Sequence, residues 1–242
     1  SVSKLVTVGV YENAPKVFTS ESGEPAGIFI DVIESIAASE GWTLRYVPGT
    51  FVDCLEGLGT GEIDLLPDVA YSSDRARTYA FHEVSVLSSW SQVYARAGSG
   101  IGSLLDLNGR RIVFLEGSIQ QQTFRQLTSS FGINTTLLSA LDYEAALEMV
   151  ADGEAEAVVA NRFYGLAHAG DAGLEDTGIV FAPSDLYFAA SQGDPLNLLG
   201  AIDRRLQDLK TNTGSVYYDS LERWPAEKAP FESPAWAKIP AR

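Results

Sequence analysis

An order of strand, helix, strand, helix, strand runs through this chain twice, and it constrains the fold more than any other feature. In the first pass, LVTVGV (5–10) is a short β-rich run, followed by a turn-rich loop, YENAPKVFTSESGEPAG (11–27). IDVIESIAAS then places Val32, Ile33, Ile36 and Ala37 at helical spacing, and Gly41 is suited to end that helix in a left-handed conformation. WTLRYV (42–47) is the next strand. FVDCLEGL (51–58) is a short helix with Phe51, Cys54, Leu55 and Leu58 on one face, and GEIDLLPDVA (61–70) is the third strand. The second pass starts near residue 105. LDLNGRRIVFLEG gives a turn and a strand, and SIQQQTFRQLTSSFG a helix with Phe124, Leu127 and Phe131 inward. TTLLS is a strand, DYEAALEMVADG a helix, and GEAEAVVANRF a strand leading into another helix. GEIDLL at 61–66 and GEAEAVV at 153–159 hold matching places. Strands alternating with helices predict two α/β lobes, each a mainly parallel sheet flanked by helices.

Two stretches can join such lobes. VSVLSSWSQVYARAGSG (84–100) begins as a long strand and ends in a Gly/Ser loop, and FAPSDLYFAAS (181–191) is a second link. The chain then turns helical. Asp194 is expected as N-cap with Pro195 at the first helical position, and Leu198, Ile202, Leu206 and Leu209 form the buried stripe. A further helix, GSVYYDSLERW, follows. If these helices return to the first lobe, the chain crosses twice. Two crossings make a hinge, and the cleft between the lobes is then the natural ligand site. The expected division is residues 1–95 plus 188–242 for one lobe and 96–187 for the other.

Composition removes several function classes. The chain carries 17 basic and 32 acidic residues, a formal net charge of −15, which repels a phosphate backbone and argues against nucleic acid as a partner. The single cysteine, Cys54, allows neither an internal disulfide nor a cysteine-based zinc site. The two histidines, His82 and His168, have no metal-like partner at helical spacing, so neither a metal nor another cofactor is expected. No apolar run approaches the roughly 18 residues of a membrane span. The chain begins at Ser1 rather than Met, as a processed protein or an excised segment would. Phosphate-binding, esterase, zinc-protease and dinucleotide motifs are absent.

The polar and aromatic residues at strand ends are the candidates for a site, each with an alternative. Arg75 follows the apolar strand that ends near Asp68, where open α/β folds hold ligands. It is either a surface arginine, paired with Asp68, Asp74 or Glu83, or a guanidinium that grips a carboxylate through two parallel hydrogen bonds. Asp68 either holds an amine or balances Arg75. Tyr11 and Phe51 supply aromatic walls or pack in the core. Ser118, with Gln121 at capping-box spacing, caps its own helix or offers that helix start to a carboxylate. Asn161 contacts a ligand or caps the helix RFYGLAHA. Glu12, Glu116 and Asp68 are acids that a cleft can use.

Four segments together resemble the type II periplasmic solute-binding proteins, in the branch that includes polar amino-acid binders. They are GIFIDVIESIA (27–37), LGTGEIDLLPDVAYSSDRARTYAFHE (58–83), DLNGRRIVFLEGS (106–118) and GEAEAVVANR (153–162). The second has Ser72, then Arg75, then the aromatic Phe81 at the family's spacing. The resemblance implies a two-lobe fold with two hinge crossings and a small-molecule ligand between the lobes. It implies that Arg75 holds the ligand α-carboxylate, that Ser118 contacts the same group, and that Tyr11, Phe51 and Gln120 belong to the ligand set. There are departures. Asn161 stands where amino-acid binders have an aspartate for the ammonium, and Ala70 where a hydroxyl residue helps with the carboxylate. Asp68 replaces a small residue and becomes the substitute ammonium partner, and Ile119 replaces a threonine.

The tail from Ile202 to Arg242 and the phrase VVANRFYG resemble the solute-binding domains of membrane sensor histidine kinases. The resemblance therefore implies an extracytoplasmic sensor on the periplasmic or extracellular face of the cytoplasmic membrane, attached to a membrane-spanning remainder. The alternative is a free carrier delivering solute to an ABC permease. A dehydratase-like enzyme, as some relatives of this fold are, ranks last.

Overall fold

A computed structural model of the protein describes residues 3–224. The part of the tail beyond Trp224 that supported the sensor resemblance lies outside the described residues.

β1 (Lys4–Val10) runs from exposed to wholly buried along its length and leads into a loop containing β2 (Phe18–Thr19) and β3 (Pro25–Ala26). α1 (Ile28–Glu40) buries Val32, Ile33, Ile36 and Ala37, and Gly41 ends it with φ 71°, as its sequence predicts. β4 (Trp42–Pro48) pairs parallel with β1 along its whole length. α2 (Phe51–Thr60) opens with a capping box in which the Thr50 and Asp53 side chains each accept from the other's backbone N–H. β5 (Leu65–Ala70) pairs parallel with β1 on its other side. A single 3-10 turn, Arg75–Arg77, precedes β6 (Tyr79–Phe81).

β7 (Leu87–Arg96) carries the chain into the second lobe. There β8 (Arg111–Leu115), α3 (Ile119–Ser130), β9 (Thr136–Ala140), α4 (Tyr143–Ala151), β10 (Ala157–Asn161) and α5 (Arg162–His168) repeat the βα order. β8 pairs parallel with both β9 and β10. β11 (Leu174–Ser191) returns, and α6 (Leu199–Thr211) and α7 (Val216–Arg223) pack back on α1 in the first lobe.

The main sheet has the order β4-β1-β5-β11-β7-β10-β8-β9, with β6 beside β11. β7 and β11 are the two crossings, antiparallel partners that span both lobes. The register between them breaks between Phe181 and Ser184, opposite Ser89–Ser91, and Ala182 there has φ 49°. The same ladder is also interrupted between Asp176 and Val180, and such irregularities bend the strands that carry them.

Three local expectations are corrected. Asp194 is not a helix N-cap of the ordinary kind: α6 begins at Leu199, and the Asp194 carboxylate accepts from Leu198 N–H and Leu199 N–H out of a preceding turn. Phe131 is 62% exposed rather than inward, because α3 ends at Ser130 and the helical period no longer applies to it. Ser118 occupies the N-cap of α3, but its side chain makes no capping hydrogen bond and Gln121 forms no box with it.

Candidate functional site

The strand ends of both lobes meet at one interlobe cavity of about 60 Å³. Tyr11, Phe51, Asp68, Ala70, Arg75, Ser118, Gln120 and Asn161 all line it, whereas Glu12 and Glu116, the other acids offered by the sequence, do not. Lys16, Asn13, Trp90, Tyr143 and Ser184 also line it and went unrecognised in the sequence. A lysine in a turn-rich loop normally reads as solvated surface.

Asp68 owes its position to a break in β5. Pro67 has no N–H to give the ladder. Val69 and Leu66 pair with Tyr187 and Ala189, so Pro67 and Asp68 together oppose Phe188. Such a bulge re-aims a side chain. Asp68 has φ 57°, a left-handed conformation that Asp tolerates better than most residues. The stranded Phe188 N–H donates instead to His82 Nε2 at 2.9 Å.

The loop after β1 brings the opposite charge. Pro15 and Lys16 use their carbonyls to accept from Ile28 N–H and Phe29 N–H, tying the loop to the start of α1. Gly27 makes this approach possible: its φ is 116°, and a Cβ there would sit 2.5 Å from the Lys16 carbonyl oxygen. Lys16, only 2% exposed, then reaches both Asp68 carboxylate oxygens, at 2.8 and 2.7 Å. Asn13 Nδ2 donates to Asp68 Oδ2 at 2.7 Å, and the Tyr11 hydroxyl donates to the Asp68 backbone carbonyl at 2.7 Å. Burial pushes the Lys16 pKa down while Asp68 pulls it back up. Burial pushes Tyr11 well above its ordinary value and Tyr143 up to about 12, so both phenols are neutral donors at pH 7. Asp68 is thus paired with Lys16 rather than with Arg75, which corrects the expected pairing with Arg75.

Arg75 faces the cavity from the other side. Its guanidinium donates to the Ala70 carbonyl at 2.9 Å and, across the lobes, to the Gly117 carbonyl at 3.0 Å, with its carbon 5.4 Å from the Phe51 ring centre. None of the expected acids pairs with it: Asp68 is held by Lys16, and Asp74 lies beside Arg77 on the surface. Burial lowers the Arg75 pKa from its ordinary value but leaves a guanidinium charged at neutral pH. Across the cavity, Ser118 Oγ is buried with no hydrogen-bond partner among the described residues. The first turn of α3 lies behind it, with the positive end of the helix dipole.

Asn161 does two jobs. Its carbonyl oxygen accepts from Tyr164 N–H and caps α5, and its Nδ2 donates to Asn13 Oδ1 at 2.9 Å in the other lobe. Gln120 accepts from the Tyr143 hydroxyl at 3.1 Å. Trp90, at the crossing on β7, forms a wall of the cavity and stacks on the Arg162 guanidinium at 4.3 Å. No group of three or more metal-ligating side chains occurs among the described residues, and no helix there is long and apolar enough to cross a membrane.

Solved structures with this architecture are numerous. A histidine kinase sensor domain with similarity to periplasmic binding proteins is 23% identical, with TM-score 0.80 over 91% of this chain and 95% of the other. An ancestral arginine-binding protein bound to arginine is 22% identical, with TM-score 0.81 over 93% and 99% of the two chains. The substrate-binding protein of an amino acid ABC transporter is 19% identical, with TM-score 0.80 over 91% and 98%. At these identities the likeness concerns the fold. Comparison with curated proteins gives no match. The sequence profile of bacterial extracellular solute-binding proteins, family 3, matches residues 6–224, nearly the whole chain, and the chain belongs to that family.

Proposed function

We propose that this domain binds a small polar solute bearing a carboxylate in its interlobe cavity. The observation that carries the reading is Arg75, a guanidinium facing the cavity without an acidic partner, opposite the unpartnered hydroxyl of Ser118. A carboxylate between them gains charge-assisted hydrogen bonds from one lobe and a helix start from the other. Because it touches both lobes, it favours the closed arrangement over the open one, which is what closure by a ligand requires. The lobes divide along the expected ranges, with bending proposed at Ser89–Ser91 and Phe181–Ser184, where the crossing ladder is interrupted.

Within this reading the domain is the extracytoplasmic sensor of a membrane-linked signalling protein, with the periplasmic or outer face of the membrane as its place, and binding rather than turnover as its activity. Support comes from the end of α7. Trp224 packs edge-on to Phe18 at 5.3 Å and donates to Asp31 at 2.8 Å, and Phe18 lies two residues beyond Lys16. Movement of the cavity loop is thereby felt at the end of α7. The second reading, a free carrier for an ABC permease, uses the same cavity and is favoured by likeness to the amino acid transporter protein.

A thermal-shift screen of carboxylates, amino acids and polyamines tests the binding reading. A carboxylate at 100 times its dissociation constant adds about 2.7 kcal/mol of stability, visible as a raised Tm in the wild type. The same ligand is expected to leave Arg75→Ala nearly unshifted. An equal shift in that variant removes Arg75 from the site.

A further inference from the structure

We propose that Lys16 is a built-in ammonium that occupies the amine position of the cavity, so that the domain selects small carboxylates lacking an α-amino group. The inference rests on the carboxylate reading above and narrows it.

A cationic ligand group enclosed in a cavity needs an acid beside it, because burying an unpaired charge is strongly unfavourable. Among the described residues, Asp68 is the only acid that lines the cavity. Lys16 reaches both of its oxygens, at 2.8 and 2.7 Å, and Asn13 and Tyr11 add further donors to Oδ2 at 2.7 and 3.2 Å. The lysine and aspartate side chains are 2% and 1% exposed, so water does not screen the pair. Whether written as ammonium and carboxylate or as amine and acid, the pair carries no net charge. Asn161 is already engaged by Tyr164 N–H and Asn13, and Gln120 already accepts from the Tyr143 hydroxyl. The other charged lining residue is Arg75. The cavity therefore has a net charge of about +1, inside a protein whose net charge is −15. A monoanion neutralises it. A zwitterion brings a second positive charge with nowhere to go.

Size sets the other limit. At about 60 Å³ the space between the lobes is small, which favours short-chain carboxylates. The ring of Trp90 and the hydroxyl of Ser184 complete a wall suited to a short chain with one further polar group.

The test compares ligands that differ only at the α-position. Calorimetric titration of the purified wild-type chain uses acetate against glycine, propionate and lactate against alanine, and butyrate against 2-aminobutyrate. Intrinsic tryptophan fluorescence, compared between the wild type and Trp90→Phe to isolate the Trp90 contribution among the four tryptophans, serves as an independent readout of cavity occupancy. At least one amine-free acid is expected to bind ten or more times more tightly than its amino counterpart. Equal or tighter binding of the amino acids overturns the inference while leaving the carboxylate reading standing. No binding by any member overturns both. In Lys16→Ala, the freed Asp68 is expected to reverse the preference by tenfold or more toward the amino acid. A folded Lys16→Ala with wild-type preference also overturns the role of Lys16. If that variant does not fold, the matched pairs on the wild type decide.

Discussion

At the scale of single residues, the cavity contrasts a satisfied charge with an unsatisfied one. Lys16 and Asp68 hold each other in a buried pair, and removing one partner leaves the other charge buried without a direct ion-pair partner. Lys16→Met is therefore expected to destabilise the folded chain by about 3–5 kcal/mol, read as a lower urea midpoint. Asp68→Asn with Lys16→Met removes both charges and is expected to recover a large part of the loss. A double variant no more stable than the single one rejects the pairing energy. Arg75 behaves differently, because its partners are two backbone carbonyls and a ring face. Arg75→Ala is expected to cost little stability but to weaken a carboxylate ligand more than tenfold, in line with the ~1.5–3 kcal/mol of a charged hydrogen bond. Arg75 and Ser118 were candidates in the sequence as residues near strand ends, with surface and capping roles as alternatives, and it was the resemblance to solute-binding proteins that gave them ligand roles. Lys16 was not, because the partner that explains it stands 52 residues away.

At the scale of elements, the bulge in β5 has a consequence on β11. Phe188 N–H, deprived of a strand partner, donates to His82 Nε2, so that nitrogen is unprotonated and Nδ1–H faces Asp203 Oδ1 at 3.2 Å. Burial holds the His82 pKa below its ordinary 6.5, outweighing Asp203, which raises it. The sign follows from linkage. The unfolded chain binds a proton at His82 more readily than the folded one, so the stabilising contribution is full above pH 6.5 and is lost as pH falls below it. The urea midpoint of the wild type is expected to fall between pH 7.5 and 5.5, and by less in His82→Gln. Identical pH slopes in the two proteins exclude His82 as the source. The helices themselves were legible from apolar periodicity and glycine stops. The start of α3 fell at Ser118 as expected, but its hydroxyl does not cap the helix, and the start of α6 was misread because Asp194 sits in a preceding turn, from which its carboxylate accepts from Leu198 and Leu199 N–H.

At the scale of the molecule, closure depends on how near the lobes can come. Gly117 sits at the contact with φ 76°, and a Cβ there would lie 2.9 Å from Val52 Cγ2 on α2 of the other lobe. Gly117→Ala therefore adds a clash across the lobes to a left-handed penalty of about 1–2 kcal/mol. The variant is expected to favour the open arrangement, with a larger radius of gyration by small-angle scattering and weaker ligand binding. An unchanged radius and affinity show that the lobes do not need this approach.

Packing decided that the last helices return to the first lobe, and with it the second crossing; the sequence by itself determined the repeated βα order, the mainly parallel lobes and the candidate residues at strand ends. These follow from periodicity and turn chemistry, which act over a few neighbouring residues. Only the tertiary structure decided how the charges pair. Asp68 faces Lys16 because a proline breaks one strand and a glycine lets a distant loop lie against α1. Whether a buried charge is available to a ligand depends on which other charges surround it in space, and local sequence pattern carries no record of that.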